Sequence, residues 1–360
     1  MFVFDSHAHI IPPIAGTSGY TTPEEHLAIC QRSMHEHLAQ PTRLVKNNFI
    51  VDKHLWNPDD SSMNGKFNVG FRVGTHGRFC WTQDEQEVYI QYLPPYAERM
   101  EITPEMMKAM MDYAGISAAV LQCGNVYGKL NSYYRKFVKE NPWAKGVLYP
   151  LARIDENQAA TIPVMDELEI LFSDNLLSGL WFAGDANQFT QKYDVFWNKV
   201  REMGIPVFIL FYPDKNWVHI FRDMGRWVAK FNDIKGVLAQ AFPLSARITD
   251  DNLEIPTYTE GVIKDSSLMI EVVYPIGRGT VEEYPYRKSL EAVRTLYETF
   301  GGGKLVWGSD MPMVERYCTY AQSLQYLLKS DIGITDSDME LIVGKNLQTI
   351  FDKRNNHGYL

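Results

Sequence analysis

From Thr103 onward the chain alternates short apolar runs with amphipathic stretches, and that alternation leaves few folds open. Thr103 is placed to cap a helix with Pro104 in its first turn, and Gly115 to stop it. The apolar run 118–122 follows at once. The unit then recurs: helix 130–140, strand 146–151, helix 159–172, strand 179–182, helix 193–203, strand 206–211, helix 217–231 and strand 236–241. Strand 267–273, helix 287–300 and strand 304–307 complete the series, and a pair of packing helices follows, separated by Gly344. With the run at residues 4–10 there are eight strands. Brief apolar strands interleaved with helices predict a parallel sheet buried on both faces. Eight such units predict an α/β fold of the closed (β/α)8 TIM barrel type. A doubly wound open sheet is the alternative, but no glycine-rich phosphate loop follows the first strand.

One stretch interrupts the rhythm. Residues 11–102 are rich in Pro, Gly, Asn and aromatics, with strand-like alternation at 67–73 and 87–93. A single barrel domain over 1–360, with 11–102 inserted after strand one as a lid or arm, is the expected organisation.

In a barrel, chemistry gathers where the strands end, so the polar residues closing each apolar run carry the most information. Strand one closes on His7 and His9, two residues apart and therefore on one face. Two imidazoles presented together make half of a divalent-metal site, or else a pair of hydrogen-bonded histidines near a terminus. Strand eight closes on Asp310, a neighbour of strand one in a closed barrel. An aspartate there can ligate a metal and accept a proton, or cap a helix. Glu271, between Met269 and Val273 on strand seven, is a further candidate ligand, because a charge within such a strand needs a partner.

Four motifs together resemble the amidohydrolase-related proteins, and more narrowly the branch typified by aminocarboxymuconate semialdehyde decarboxylase. They are Asp5-Ser6-His7-Ala8-His9, Met111-Asp112-Tyr113-Ala114-Gly115-Ile116, Leu305-Val306-Trp307-Gly308-Ser309-Asp310-Met311-Pro312 and Ile342-Val343-Gly344-Lys345-Asn346. The resemblance implies a metal-dependent barrel, with zinc as the first expectation and manganese as the second, that either hydrolyses C–O or C–N bonds or decarboxylates aromatic or unsaturated acids. It places His7, His9 and Asp310 at metal positions. It also implies a histidine at the end of strand five and a catalytic histidine after strand six. This chain has Leu210 and Gln240 there. Leucine cannot ligate and a neutral amide moves protons poorly, so Gln240 stands as the candidate in the catalytic position.

Arg153 beyond strand three and Arg278 beyond strand seven are placed to receive a substrate carboxylate, or else to form ordinary ion pairs with nearby Asp or Glu. Trp181 and Tyr212 offer aromatic walls, and His76 in the insertion a contact from above. The leading reading is a metal-dependent hydrolase of a small aromatic or carboxylate-bearing molecule. A nonoxidative decarboxylase is second, and a metal-free binding protein on a degenerate barrel is third.

The formal net charge of −9 argues against nucleic acid or an anionic membrane as partner. Four scattered cysteines form no CxxC pair, no apolar stretch reaches membrane-spanning length, and no leader-like region precedes strand one. A cytoplasmic protein is expected, with a homodimer as the assembly that the resemblance suggests.

Overall fold

The structure is a computed structural model that describes residues 1–37, 40–60, 62–211, 217–241, 255, 257–273 and 283–352. Its centre is a parallel sheet of eight strands: β1 (Phe4–Ala8), β2 (Ala118–Leu121), β3 (Leu148–Ala152), β4 (Gly179–Gly184), β5 (Val207–Phe211), β6 (Gly236–Leu238), β7 (Leu268–Val273) and β8 (Leu305–Gly308). They lie side by side in chain order. Ala8 bridges to Met311, the His9 N–H donates to Met311 O at 2.8 Å and the Asp310 N–H to His7 O at 2.8 Å, so the last strand returns to the first. The fold is the (β/α)8 TIM barrel that the alternation predicts.

Local chemistry accounts for these elements. Thr103 accepts from the Met106 N–H, Pro104 opens the helix Pro104–Ala114, and Gly115 ends it at φ +76°. Strand residues are buried on both sides because helices cover the outer face. At Gly236 a Cβ would stand 2.0 Å from Val207 O, so only glycine lets β6 approach β5.

Several expectations are corrected. The insertion is more regular than its Pro- and Gly-rich composition suggests: helix Pro23–Glu36 is capped by Thr22, whose side chain accepts from the Glu25 N–H. A five-stranded antiparallel sheet follows, in the order 50–51, 42–44, 86–91, 78–83, 72–73. Residues 67–71 are not strand, because the hairpin turns at Asp84 and Glu85, both at positive φ, and pairs 78–83 with 86–91. β6 stops at Leu238, since Gln240 takes a left-handed φ of 57° and turns its N–H away from the ladder.

Gly344 is not the break between helices that the sequence suggests. It sits inside a π turn, Leu341–Lys345, between helices Asp336–Glu340 and Asn346–Phe351, where a Cβ would lie 2.2 Å from Phe2 O. Close packing against the entrance to β1 explains the glycine, and Asn346 donates to Gly302 O and Leu305 O beside the start of β8.

The insertion is tied to the barrel at its base and top. Ile11 and Ile102 exchange main-chain hydrogen bonds at 2.9 Å, and insertion side chains such as Phe79, Trp81 and Ile90 pack in the same apolar core as the barrel. Lys53 donates to Met34 O and His37 O, closing the C-terminal end of the first helix. No described helix is long and apolar enough to cross a membrane.

Candidate functional site

β1 brings its histidines to the mouth through a local irregularity. The Asp5 carboxylate accepts from the His7 N–H at 2.9 Å, and the strand's register with β2 shifts between Asp5 and Ala8. His9 lies just past the strand, its N–H held by Met311 O. The two rings sit 4.9 Å apart. On the other side, Asp310 adopts a left-handed φ of 61°, a conformation that aspartate and asparagine tolerate better than most residues. That turn swings its carboxylate toward both rings: Oδ1 is 2.9 Å from His9 Nε2 and 3.4 Å from His7 Nε2.

His7, His9 and Asp310 are thus brought together, with donor atoms within 4.8 Å of one another and all three side chains buried. Their outer atoms are equally constrained. His7 Nδ1 lies 2.8 Å from Glu271 Oε2, and His9 Nδ1 3.1 Å from Gln122 O. Both partners only accept, so each Nδ1 keeps its ring proton, and each Nε2 faces Asp310 Oδ1 across a proton or a metal ion. A divalent cation can take the place of those protons, because two imidazole nitrogens and a carboxylate oxygen converge in a buried space. The set therefore fits a divalent metal, with carboxylate and carbonyl groups orienting the ligands from behind.

The surroundings favour a positive charge at this point, carried by a proton or by an ion. Burial opposes charge on His7, but Glu271 and Asp310 outweigh it and hold the imidazole up at about 9. Burial pushes His9 down despite Asp310.

Glu271 is completely buried and stands behind His7, outside the donor cluster. Oε1 accepts from Ser6 Oγ at 2.7 Å and Gln122 Nε2 at 2.8 Å; Oε2 takes His7 Nδ1 and the Gln240 N–H at 2.6 Å. Four donors fill its lone pairs, so it orients a ligand and has none left for a metal. Gln240 contributes to the site through its main chain, by that N–H. Leu210 is half-buried on β5, in register with Ala183.

The other candidates are dispersed. Arg153 is paired with Glu156 at 3.2 Å, bonded to Asn125 and stacked over Trp181 at 4.9 Å, on one wall of a polar cleft of about 580 Å³. Trp181 is buried beneath it and donates to Gln122 Oε1 at 3.2 Å. His76 is an exposed residue of the insertion at φ 56°, its N–H bonded to Glu98 O and its Nδ1 3.3 Å from Pro95 O. Tyr212 and Arg278 lie outside the described residues.

Sequence reasoning missed several groups. Gln122 links β1, β2, β4 and β7 through Ser6 O, Glu271 and Trp181, and is the polar residue that ends the second apolar run. Asp5 accepts from Ser309 N–H and Oγ and from Tyr320 Oη, joining β1 to β8; burial lifts its carboxyl to about 6. Tyr127 packs on His9 with ring centres 4.8 Å apart, and Tyr92 of the insertion lies 6.4 Å from Tyr127.

Residues 4–351 match the family described as amidohydrolase. The chain belongs to the amidohydrolase family. Its fold is similar to that of an uncharacterised TIM-barrel protein from Bordetella bronchiseptica, at 14% identity and a TM-score of 0.54 over 99% of this chain and 100% of that one. It is also similar to an amidohydrolase from Burkholderia multivorans, at 12% identity and 0.51 over 70% and 89%. A probable 2-pyrone-4,6-dicarboxylic acid hydrolase from Acinetobacter baumannii gives 17% and 0.50 over 70% and 90%. The comparison with curated proteins finds no match. Amidohydrolases generally use a divalent metal, and among the described residues His7, His9 and Asp310 are a group that could hold one.

Proposed function

We propose that the chain is a metal-dependent hydrolase of a small carboxylate-bearing or aromatic molecule, within the branch of the amidohydrolases that its strand-end motifs resemble. The observation that carries this reading is the convergence of His7 Nε2, His9 Nε2 and Asp310 Oδ1 with both Nδ1 atoms engaged from behind. A divalent ion, zinc by preference and manganese as the alternative, supplies Lewis acidity and acidifies water when bound there. The residues do the rest. Glu271 and Gln122 hold both rings in the ligating tautomer, and buried Asp310 takes the proton released by the attacking water and passes it to the leaving group. Tyr127 shields the His9 face from solvent.

Decarboxylation ranks below hydrolysis because Gln240 cannot protonate a ring carbon. The test is elemental analysis of purified protein, followed by assays of carboxylate-bearing esters, lactones and amides beside carbon dioxide release from hydroxybenzoates. Asparagine keeps the left-handed turn, so Asp310→Asn should fold while hydrolysis falls about 10²–10⁴-fold. Full hydrolysis by a metal-replete Asp310→Asn protein overturns the proton role. Carbon dioxide release without hydrolysis replaces the reaction, and a metal-free protein without turnover makes this a binding barrel.

A further inference from the structure

The turn that follows β8 carries a half-buried cation, Arg316. Arg316 ends the short helical turn Met313–Arg316, six residues after Asp310, where the insertion meets the barrel. Its Nε–H donates to Met313 O at 2.9 Å, and Nη1 donates to Gln40 Oε1 at 2.6 Å and Tyr92 O at 3.0 Å. His37 Nε2 lies 2.6 Å from the same Gln40 oxygen, and Gln40 Nε2 donates to Tyr317 Oη, so the amide that holds the guanidinium is itself held.

A guanidinium has five N–H donors. Three are spent on these acceptors, and the two on Nη2 have no partner among the described residues. None of the three acceptors carries a charge, and no carboxylate pairs with Arg316 among the described residues. Arg153, by contrast, is neutralised by Glu156. A half-buried guanidinium without a counter-ion, pinned on one edge and open on the other, is arranged to receive an anion.

Contacts lead from this cation to the donor cluster. Arg316 touches Tyr92, Tyr92 faces Tyr127, and Tyr127 packs on His9. Both tyrosines are buried and both lie in the fields of Arg316 and Asp310, which act on them with opposite sign.

We propose that Arg316 is the specificity-determining residue of the site, receiving through Nη2 a substrate carboxylate set apart from the group that is cleaved, with Tyr127 and Tyr92 as the wall between. The substrate class is then a carboxylate-bearing molecule with a second oxygen function at the other end. This rests on the metal-centre reading above. It also makes the insertion a component of the recognition apparatus, because Gln40 and Tyr92 come from it.

The experiment uses zinc-loaded full-length protein and isothermal titration with three metal chelators: pyridine-2-carboxylate, pyridine-2,4-dicarboxylate and pyridine-2,5-dicarboxylate. At least one dicarboxylate should bind about tenfold more tightly than the monocarboxylate. Arg316→Gln should reduce that gain to about threefold or less, with pyridine-2-carboxylate affinity and zinc stoichiometry within about twofold of wild type. Arg316→Lys, which keeps the charge and serves if the glutamine variant does not fold, should retain an intermediate gain. No gain in wild type, or a gain that survives Arg316→Gln or is left whole by Arg316→Lys, overturns the assignment of Arg316 alone. Protein that holds no zinc, or zinc-loaded protein that ignores pyridine-2-carboxylate, overturns the metal-centre reading and the Arg316 proposal with it.

Discussion

His7 and Asp310 meet because each is held from behind, and the groups behind them carry as much of the design as the donors. Glu271 is the clearest case. Its four hydrogen bonds fix His7 in one tautomer, so Glu271→Gln would exchange two acceptor atoms for one acceptor and one donor. The amide N–H₂ must then face Ser6 and Gln122 or His7 and Gln240, all of which donate. Zinc affinity of Glu271→Gln, measured by competition with a chromogenic chelator, should fall about 10–100-fold; unchanged affinity would remove Glu271 from the centre. The donors were legible in the sequence because strand ends are where barrels place chemistry, and His7, His9 and Asp310 are polar residues at such ends. The support was not. A side chain such as Gln122 draws its meaning from three strands that are distant in sequence, and periodicity within one strand cannot reveal it. Arg153 shows why position alone does not settle a role: its place beyond β3 suits a ligand contact or an ion pair, and Glu156, three residues on, pairs with it.

At the scale of elements, the barrel units were readable and the insertion largely was not. The helix Pro104–Ala114 agrees with its reading to within one residue, because a Thr-Pro start and a Gly stop are local signals. Helix Pro23–Glu36 carries the same Thr-Pro start, but the surrounding Pro, Gly and aromatic content obscured it. Its C-terminal end leaves His37 half-buried beside Arg316 and Lys53. That burial pushes the imidazole down to about 4. The unfolded chain takes up a proton near pH 6.5 while the folded form stays neutral, so stability should fall as pH drops from 6.5 toward 4, and be unaffected above. The loss is up to about 3 kcal/mol. Chemical denaturation at pH 7 and pH 4.5 checks this against His37→Gln, which should show a shallower decline. Parallel pH profiles for the two proteins would contradict it.

For the whole molecule, the consequential contact is the return of β8 to β1. Asp5, Ser309 and Tyr320 make one buried junction there and the donor cluster makes another, so anything bound to the cluster should clamp the first and last strands together. Zinc at a hundred times its dissociation constant adds about 2.7 kcal/mol, and its removal by dialysis against EDTA should lower the melting temperature on the order of 5 °C. Equal melting temperatures with and without zinc would show that no ion joins the strands.

That junction also sets an order of events during synthesis. His7 and Asp310 are about 300 residues apart in the chain, and neither can complete the donor set without the other. A growing chain cannot assemble the three donors until every barrel strand from β1 to β8 has left the ribosome. An ion bound at this centre would therefore report a finished barrel, and chains ending before residue 310 would lack the carboxylate of the donor set.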